Sequence, residues 1–237
     1  MIMNNPEHTR PLNPILKATM MLIMGFIIST SIGCASLEVG GGSGKSYAEL
    51  EKMVKDKAEP KWEATDSAKL DDLGKLVVTG WAMDVYNKMQ AIDKITKGSA
   101  DYNQLLTLAY KDLPADASKE DREKAVNAEL AKIKDKERRR KILETSKSVD
   151  SRQDELQKEI IKYLAQKDEV QEKLKAAVDE ATGKFKDLGF LEKAKAVKPI
   201  TAAQKSVQVN ISYIQDCQQV NIWNRDAHAA IDAGGLE

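Results

Sequence analysis

Apolar side chains recur along most of the chain at intervals of three and four residues, the spacing of one buried face of an α-helix. The first long stripe runs through residues 66–97. Its members are Leu70, Leu73, Val77, Trp81, Val85, Met89, Ile92 and Ile95. Gly74 and Gly80 interrupt this stripe and indicate a kink or a close contact, because glycine is unfavourable inside a helix. Shorter helices are predicted at residues 46–59 and 101–112.

A helical pattern without proline or glycine runs from a capping sequence at Ser118 to about Thr182. Its second half keeps a heptad spacing, which is typical of helices that pack side by side in coiled coils. The heptad positions are Leu156, Ile160, Tyr163, Lys167, Val170, Leu174, Ala177 and Ala181. The first half loses this phase through residues 134–141. The stripe therefore changes face there, which predicts a bend, a change of packing partner or a projecting helix.

A last helix is predicted from Pro199, since proline is favoured at the first position of a helix, to about residue 231. Residues 206–213 also alternate between apolar and polar side chains, as a strand would. A lone strand would have no partner in an otherwise helical chain, so we interpret this stretch as helix. Lys167 and Asn221 fall on seam positions, where polar side chains set the register of packed helices.

These patterns predict an all-α fold, an elongated bundle of three or four main helices with coiled-coil-like heptads over residues 47–237. We expect the helix 119–182 to fold back against the helices 66–97 and 199–231, because their apolar stripes must be covered. The composition agrees, since 31% of the residues are charged and only 5% are aromatic. Basic and acidic residues number 37 each, so nothing indicates a general attraction to nucleic acid.

The N-terminal segment has the features of a secretory signal. An apolar run at residues 18–32 follows a polar, basic start and is shorter than the ~20 residues that a membrane-spanning helix needs. Residues 1–36 resemble the signal peptide of bacterial lipoproteins, whose lipobox ends in a cysteine. The lipobox is matched by Ile32, Gly33 and Cys34. Ser31 stands where leucine is usual in that motif.

This resemblance implies that residues 1–33 are removed and that Cys34 carries fatty acyl chains such as palmitate. Two or more acyl chains anchor a protein stably, because each buried methylene contributes about 0.8 kcal/mol. Residues 34–46 would then be the lipidated cysteine and a Gly/Ser tether. Ala35 stands where an aspartate would favour the inner membrane, so we expect the outer membrane, facing the periplasm. An uncleaved signal anchor is the alternative interpretation.

The sequence "GGGSGKS" resembles half of a phosphate-binding loop. Gly44, Lys45 and Ser46 supply its second half, but the first glycine of the motif would fall on Val39. The short stretch after Cys34 also leaves no room for the buried strand that must precede such a loop. We interpret the segment as a flexible tether and expect no nucleotide.

Candidate chemistry is sparse in residues 47–237. His228 is the one histidine there, and Cys217 is the one cysteine. We therefore expect no zinc site, no other cofactor and no catalytic grouping. Cys217 is predicted to be buried, and an intermolecular disulfide is the alternative. The four basic residues from position 138 to 141 are the candidate partner-binding site. They are Arg138, Arg139, Arg140 and Lys141. They could contact lipid phosphates or an acidic partner, or form a solvated face beside Asp135 and Glu137.

Two functions remain open from the sequence. The first is a non-enzymatic, lipid-anchored scaffold or adaptor that binds another envelope protein or a second copy of itself. The second is a membrane-acting helical protein of the pore-forming type, whose insertion element would be residues 76–83. Burial of Val77, Val78 and Trp81 distinguishes them, because an insertion element must be able to leave the core.

Overall fold

A computed structural model describes residues 44–234, and all their regular secondary structure is helical. The prediction of an all-α fold is confirmed for this part of the chain. The elements in chain order are α1 (Tyr47–Lys55), α2 (Ala68–Gly74), a π-helical segment π1 (Lys75–Ala82), α3 (Met83–Thr96), α4 (Ala100–Tyr110), α5 (Lys119–Lys132), α6 (Lys136–Leu164), α7 (Lys167–Gly183) and α8 (Phe190–Gly234). Within residues 44–234, no helix is both long enough and apolar enough to cross a bilayer.

Helix α8 is the element around which the others pack. It contacts α1, α2, π1, α3, α5, α6 and α7. Its buried face is wider than one stripe near the C-terminus, since the consecutive residues Asp226, Ala227 and His228 are all buried. A helix with so broad a buried face is typical of the centre of a bundle. Residues 206–213 lie within α8, so their interpretation as helix is confirmed.

The predicted helix 119–182 is wrong as a single element, because it is broken into α5, α6 and α7. The first break, at residues 133–135, overlaps the start of the region where the heptad phase is lost. There Asp135 caps the new helix by accepting hydrogen bonds from the backbone N–H groups of Glu137 (2.8 Å) and Arg138 (3.2 Å). The second break, at residues 165–166, has no proline or glycine near it, and nothing in the local sequence explains it.

Apolar positions of the predicted stripe are buried on both sides of that second break, whereas Tyr163 and Lys167 next to it are half-buried. Leu156 and Ile160 on α6 and Val170 and Leu174 on α7 are all at most 3% exposed. Helix α6 packs against both α3 and α8, as expected for the long helix folded back on its neighbours. The spacing of apolar residues therefore predicted which side chains are buried better than it predicted where the helices end.

Proline does not start the last helix as predicted. Helix α8 begins at Phe190, and Pro199 lies inside it. A proline within a helix removes one backbone hydrogen bond, here the bond to the carbonyl of Lys195. Both residues are exposed, so water can satisfy that carbonyl. The helix therefore continues through a residue that usually ends or begins one.

The two glycines of the first stripe lie just before and inside the π-helical segment. Gly74 is the last residue of α2, and Gly80 lies within π1. A side chain at Gly74 would overlap the ring of Trp62, so this glycine allows a close contact. Within π1, the Thr79 hydroxyl donates to the carbonyl of Lys75 (2.9 Å). The predicted kink or close contact is thus present as a close ring contact and a short change of helix type.

Candidate functional site

The predicted basic cluster lies in the first turns of α6, at the corner that follows the break after α5. Arg138 and Arg140 of this cluster are held in short ion pairs. Arg138 pairs with Asp101 of α4 (2.7 Å), and Arg140 pairs with Glu137 (2.7 Å) and Glu144 (2.6 Å). Salt bridges with both partners this exposed contribute only about 0.2–1 kcal/mol, so a partner carboxylate could replace an internal one.

The cluster is not one continuous surface. Lys141 is exposed and lies 3.9 Å from the carboxylate of Glu137. Arg139 is half-buried instead, and its Nη2 donates to the carbonyl of Leu130 at 3.4 Å, at the end of α5. A partner could therefore reach Arg138, Arg140 and Lys141 more easily than Arg139. The sequence could identify the nearby glutamates as neighbours, but Asp101 comes from a distant part of the chain.

A group of buried polar contacts surrounds the C-terminal half of α8, and the sequence did not indicate it. The Tyr110 hydroxyl donates to the carbonyl of Trp223 (2.7 Å), and the Tyr47 hydroxyl donates to Asn224 Oδ1 (2.8 Å). Arg122 of α5 forms an ion pair with Asp226 (2.6 Å). Buried hydroxyls and charges are tolerated only when such partners are present. These contacts fasten α1, α4 and α5 to α8.

His228 belongs to this buried group. It is 2% exposed, and its Nε2 lies 2.6 Å from the hydroxyl of Tyr102. Its Nδ1 lies 3.7 Å from Asp150 Oδ1, which is too long for a hydrogen bond. A general acid or base must reach its substrate, and this ring is enclosed by protein. The geometry gives His228 a role in packing α4 against α8.

We expect acid to destabilise the fold through His228. Burial lowers the pKa of this histidine, although the nearby Asp150 and Asp232 carboxylates oppose that effect and Arg225 adds to it. The unfolded chain therefore binds the proton more readily, and the free energy of unfolding falls as the pH drops below about 6.5. Urea unfolding between about pH 5 and 7.5 should show this loss for the natural chain.

His228→Gln is the matched control, because it keeps a polar side chain but cannot titrate. Its unfolding free energy should change less with pH over the same range. Equal slopes for the two proteins would show that another group causes the loss.

Cys217 is buried, as predicted. It is fully enclosed on α8, and burial raises the pKa of its thiol to about 12. A thiol with that pKa is protonated at neutral pH and is unreactive, since the thiolate is the nucleophile. The alternative, an intermolecular disulfide, would require α8 to open. Cys34, the predicted lipidation site, lies outside the described residues.

Enclosed space for a small ligand is small in residues 44–234. A cavity of about 40 Å³ lies between α1, α3 and α4, beside Tyr102 and Asn103. That is room for water rather than for a substrate, because ligand pockets measure about 300–1,000 Å³. A shallow, open depression of about 420 Å³ lies on the surface between the stretch that follows α1 and the first half of α8, lined by Lys57, Pro60, Lys205 and Asn210 among others. Among the residues that the structure describes, no three His, Cys, Asp or Glu side chains come together as metal ligands.

Comparison with known proteins identifies no relative of this chain. No protein-family model matches the chain, and neither a curated protein nor a solved structure is significantly similar to it.

Proposed function

We propose that this protein is a lipid-anchored, non-enzymatic scaffold or adaptor of the bacterial cell envelope. Acylated Cys34 holds it in the outer membrane, and its helical domain faces the periplasm. The observation that carries the proposal is the order of three segments. A lipobox-like signal is followed by a Gly-rich stretch and then at once by a capped helix, with 12 residues between Cys34 and Tyr47.

The start of the helical domain suits attachment through a tether. Ser46 forms a capping box with Glu49, so α1 has a defined beginning directly after the glycines. Lys45 pairs with Asp216 of α8 (2.9 Å), which joins the end of the tether to the middle of the central helix. A pull on the tether would therefore act on the core of the domain rather than on a loose end.

A scaffold needs a rigid body and an outward-facing surface. The seam of α6 and α8 supplies rigidity, because Asn221 Nδ2 donates to the Gln153 carbonyl (3.0 Å) and to Gln157 Oε1 (2.9 Å). A buried polar contact of this kind defines the register of two helices, as in coiled coils. We propose that the bundle is elongated and that its exposed helix faces, including the corner at Arg138 and Arg140, contact the partner.

The alternative, a membrane-acting protein of the pore-forming type, loses its insertion element. Val77 and Val78 are 0% exposed, and Trp81 is 5% exposed. The ring of Trp81 stacks on Tyr163 of α6 with centroids 5.5 Å apart. Leu76 of this element is 42% exposed. The three buried side chains could reach a bilayer only after π1 had separated from α8 and from Tyr163 of α6. The geometry therefore favours the scaffold.

Replacing the acylated cysteine tests the lipid anchor, and affinity purification tests the scaffold. The full chain, expressed in a bacterial host, should be recovered from envelopes with acyl chains on Cys34. Cys34→Ser should remove the acyl chains and prevent cleavage, because lipoprotein signal removal follows acylation in the family that residues 1–36 resemble. Mass spectrometry of the purified proteins measures both changes. Affinity purification from detergent-solubilised envelopes should recover a specific protein with the natural chain.

Cys217→Ser is the matched control, since it removes the other cysteine from a site that the lipid cannot reach. It should leave acylation and the recovered partner unchanged. An unmodified natural chain in the cytoplasm would overturn the anchor. Recovery of the natural chain alone, as a monomer, would overturn the scaffold.

A further inference from the structure

The connection between α7 and α8 and the first turns of α8 lie outside the packed core. From position 182 to 199 no side chain is buried, whereas Ala181 before it and Ile200 after it both are. We call residues 184–198 the α7–α8 tip. Phe185 is the member that packs partly against the core. The other apolar side chains of this segment do not pack against the core, so internal packing does not explain why apolar residues are present there.

Three large apolar side chains are exposed together at this tip. Leu188 is 41% exposed, Phe190 60% and Leu191 73%. The last two are the most exposed large apolar residues in the part of the chain that the structure describes. The other exposed ones are dispersed over α1, π1, α4, α6 and α8, and single exposed apolar residues are normal. A group of three that are close in sequence needs a covering surface.

The apolar residues are set among unpaired basic ones. The tip contains five lysines, at positions 184, 186, 193, 195 and 198, and two acidic residues, Asp187 and Glu192, so its net charge is 5 − 2 = +3. Within residues 44–234, none of these five lysines forms an ion pair with a carboxylate, although Lys184 is close enough to Glu180 to help lower the pKa of that carboxyl group. The tip differs in this from Arg138 and Arg140, whose charges are already paired inside the protein.

We propose that the α7–α8 tip binds the surface of an anionic lipid bilayer. Leu188, Phe190 and Leu191 insert at the level between head groups and acyl chains, while the lysines contact lipid phosphates. Basic segments with exposed Phe and Leu bind in this way, and anionic lipids attract each nearby lysine. The long lysine stems can lie along the apolar region with their ammonium groups in the head-group layer.

Size and charge favour a bilayer over a protein partner. A stable protein interface buries about 800 Å² on each side, which three side chains do not supply. Two copies meeting at this tip would also bring together two clusters of net charge +3, so charge opposes self-association. A fluid anionic surface needs no matching shape and is complementary to the cluster in charge.

This contact goes beyond the proposed scaffold function and does not depend on acylation of Cys34. It would give the domain a second attachment to a membrane, and with it a preferred orientation. The test therefore uses the full chain carrying Cys34→Ser, which has no acyl chains. Its apolar segment at residues 18–32 stays attached and can bind any bilayer, so the tip is judged from the difference between labels at positions 191 and 108.

The experiment places an environment-sensitive fluorophore, NBD, on a cysteine introduced by Leu191→Cys. Cys217 is buried and unreactive, so the label goes to position 191. Vesicles containing about one third phosphatidylglycerol should shift the emission of the label to shorter wavelength and raise its intensity about twofold or more, because the label leaves water. Purely zwitterionic vesicles should produce a much smaller change. The matched control carries the label through Leu108→Cys, at a position that is 48% exposed on α4, and should not respond.

Charge reversal provides the second arm. Lys186→Glu with Lys195→Glu should raise the lipid concentration needed for half the signal at position 191 by about tenfold, because two attractive charges become repulsive. Lys147→Glu with Lys158→Glu makes the same change of net charge at two exposed positions of α6. This control should leave the lipid concentration for half the signal nearly unchanged.

Three results would overturn the proposal. The label at position 191 could remain unchanged with anionic vesicles. Its fluorescence could change equally with both kinds of vesicle, or the label at position 108 could respond as strongly as the label at position 191. The label at position 191 could respond to protein concentration or to an envelope protein extract but not to lipid, which would identify a second copy or a protein partner as the occupant.

Discussion

Arg122→Met is expected to lower the free energy of unfolding by about 3–5 kcal/mol, because it leaves the carboxylate of Asp226 buried without its partner. Both side chains of this ion pair are only 12% exposed, and Arg122 Nε and Nη2 reach Asp226 Oδ2 at 2.7 and 2.6 Å. The guanidinium also donates to the carbonyl of Ala117 and lies 5.3 Å from the centre of the Trp223 ring. Methionine retains much of the stem but replaces none of these polar contacts. Urea unfolding followed by circular dichroism measures the loss.

Two variants show whether the loss comes from the unpaired charge. Arg122→Met combined with Asp226→Leu should recover most of the stability, because replacing a buried pair by apolar residues is often neutral. Lys173→Met breaks an exposed pair with Glu169, whose side chains are 61% and 65% exposed, and should cost no more than about 0.5 kcal/mol. A loss below about 1 kcal/mol for Arg122→Met would mean that Asp226 is solvated and the pair is not structural.

Gly74→Ala is expected to destabilise the protein by about 1–3 kcal/mol, although alanine is the better helix former. The added methyl group would overlap the ring of Trp62, which packs across this glycine. The ring must then move, and this disturbs the hydrogen bond from Trp62 Nε1 to Asp71 Oδ1 (3.3 Å). The hydrogen bond from the Thr65 N–H to the same oxygen (2.7 Å) would be disturbed with it. Chemical denaturation measures the stability, and a red shift of tryptophan emission would report exposure of the ring.

Gly183→Ala is the matched control. Gly183 is also the last residue of a helix, and a methyl group there would meet nothing within 4 Å. This variant should leave stability unchanged or raise it by up to about 1 kcal/mol, since alanine restricts the unfolded chain. If both variants behaved alike, helix propensity rather than the Trp62 contact would govern position 74.

The candidate site was only partly predictable. The cluster at Arg138 and Arg140 is conspicuous in the sequence as a run of like charges, yet the structure pairs those charges internally. The lysines of the α7–α8 tip attract less notice, because they are spread over 15 residues among alanines and acidic side chains. What distinguishes them is the lack of a buried neighbour or an ion-pair partner, and a one-dimensional sequence does not show either property.

The helical class and the choice of buried side chains were determined by the sequence alone. Helix geometry repeats every 3.6 residues, so apolar residues at intervals of three and four define a buried face without any knowledge of the partner. The cap at Ser118 is an equally local feature and is present, with its Oγ accepting from the N–H of Asp121 (3.1 Å). Such features depend on residues within one or two turns of one another.

Only the tertiary structure decided where the helices break, that α8 continues through Pro199, and which polar side chains meet in the core. The contacts of Arg122 with Asp226 and of Tyr102 with His228 join residues more than 100 positions apart. Their existence depends on how the helices pack, and packing energies outweigh the small local preferences that end or begin a helix. The exposed tip follows from the same cause, because a side chain is exposed only where no other helix covers it.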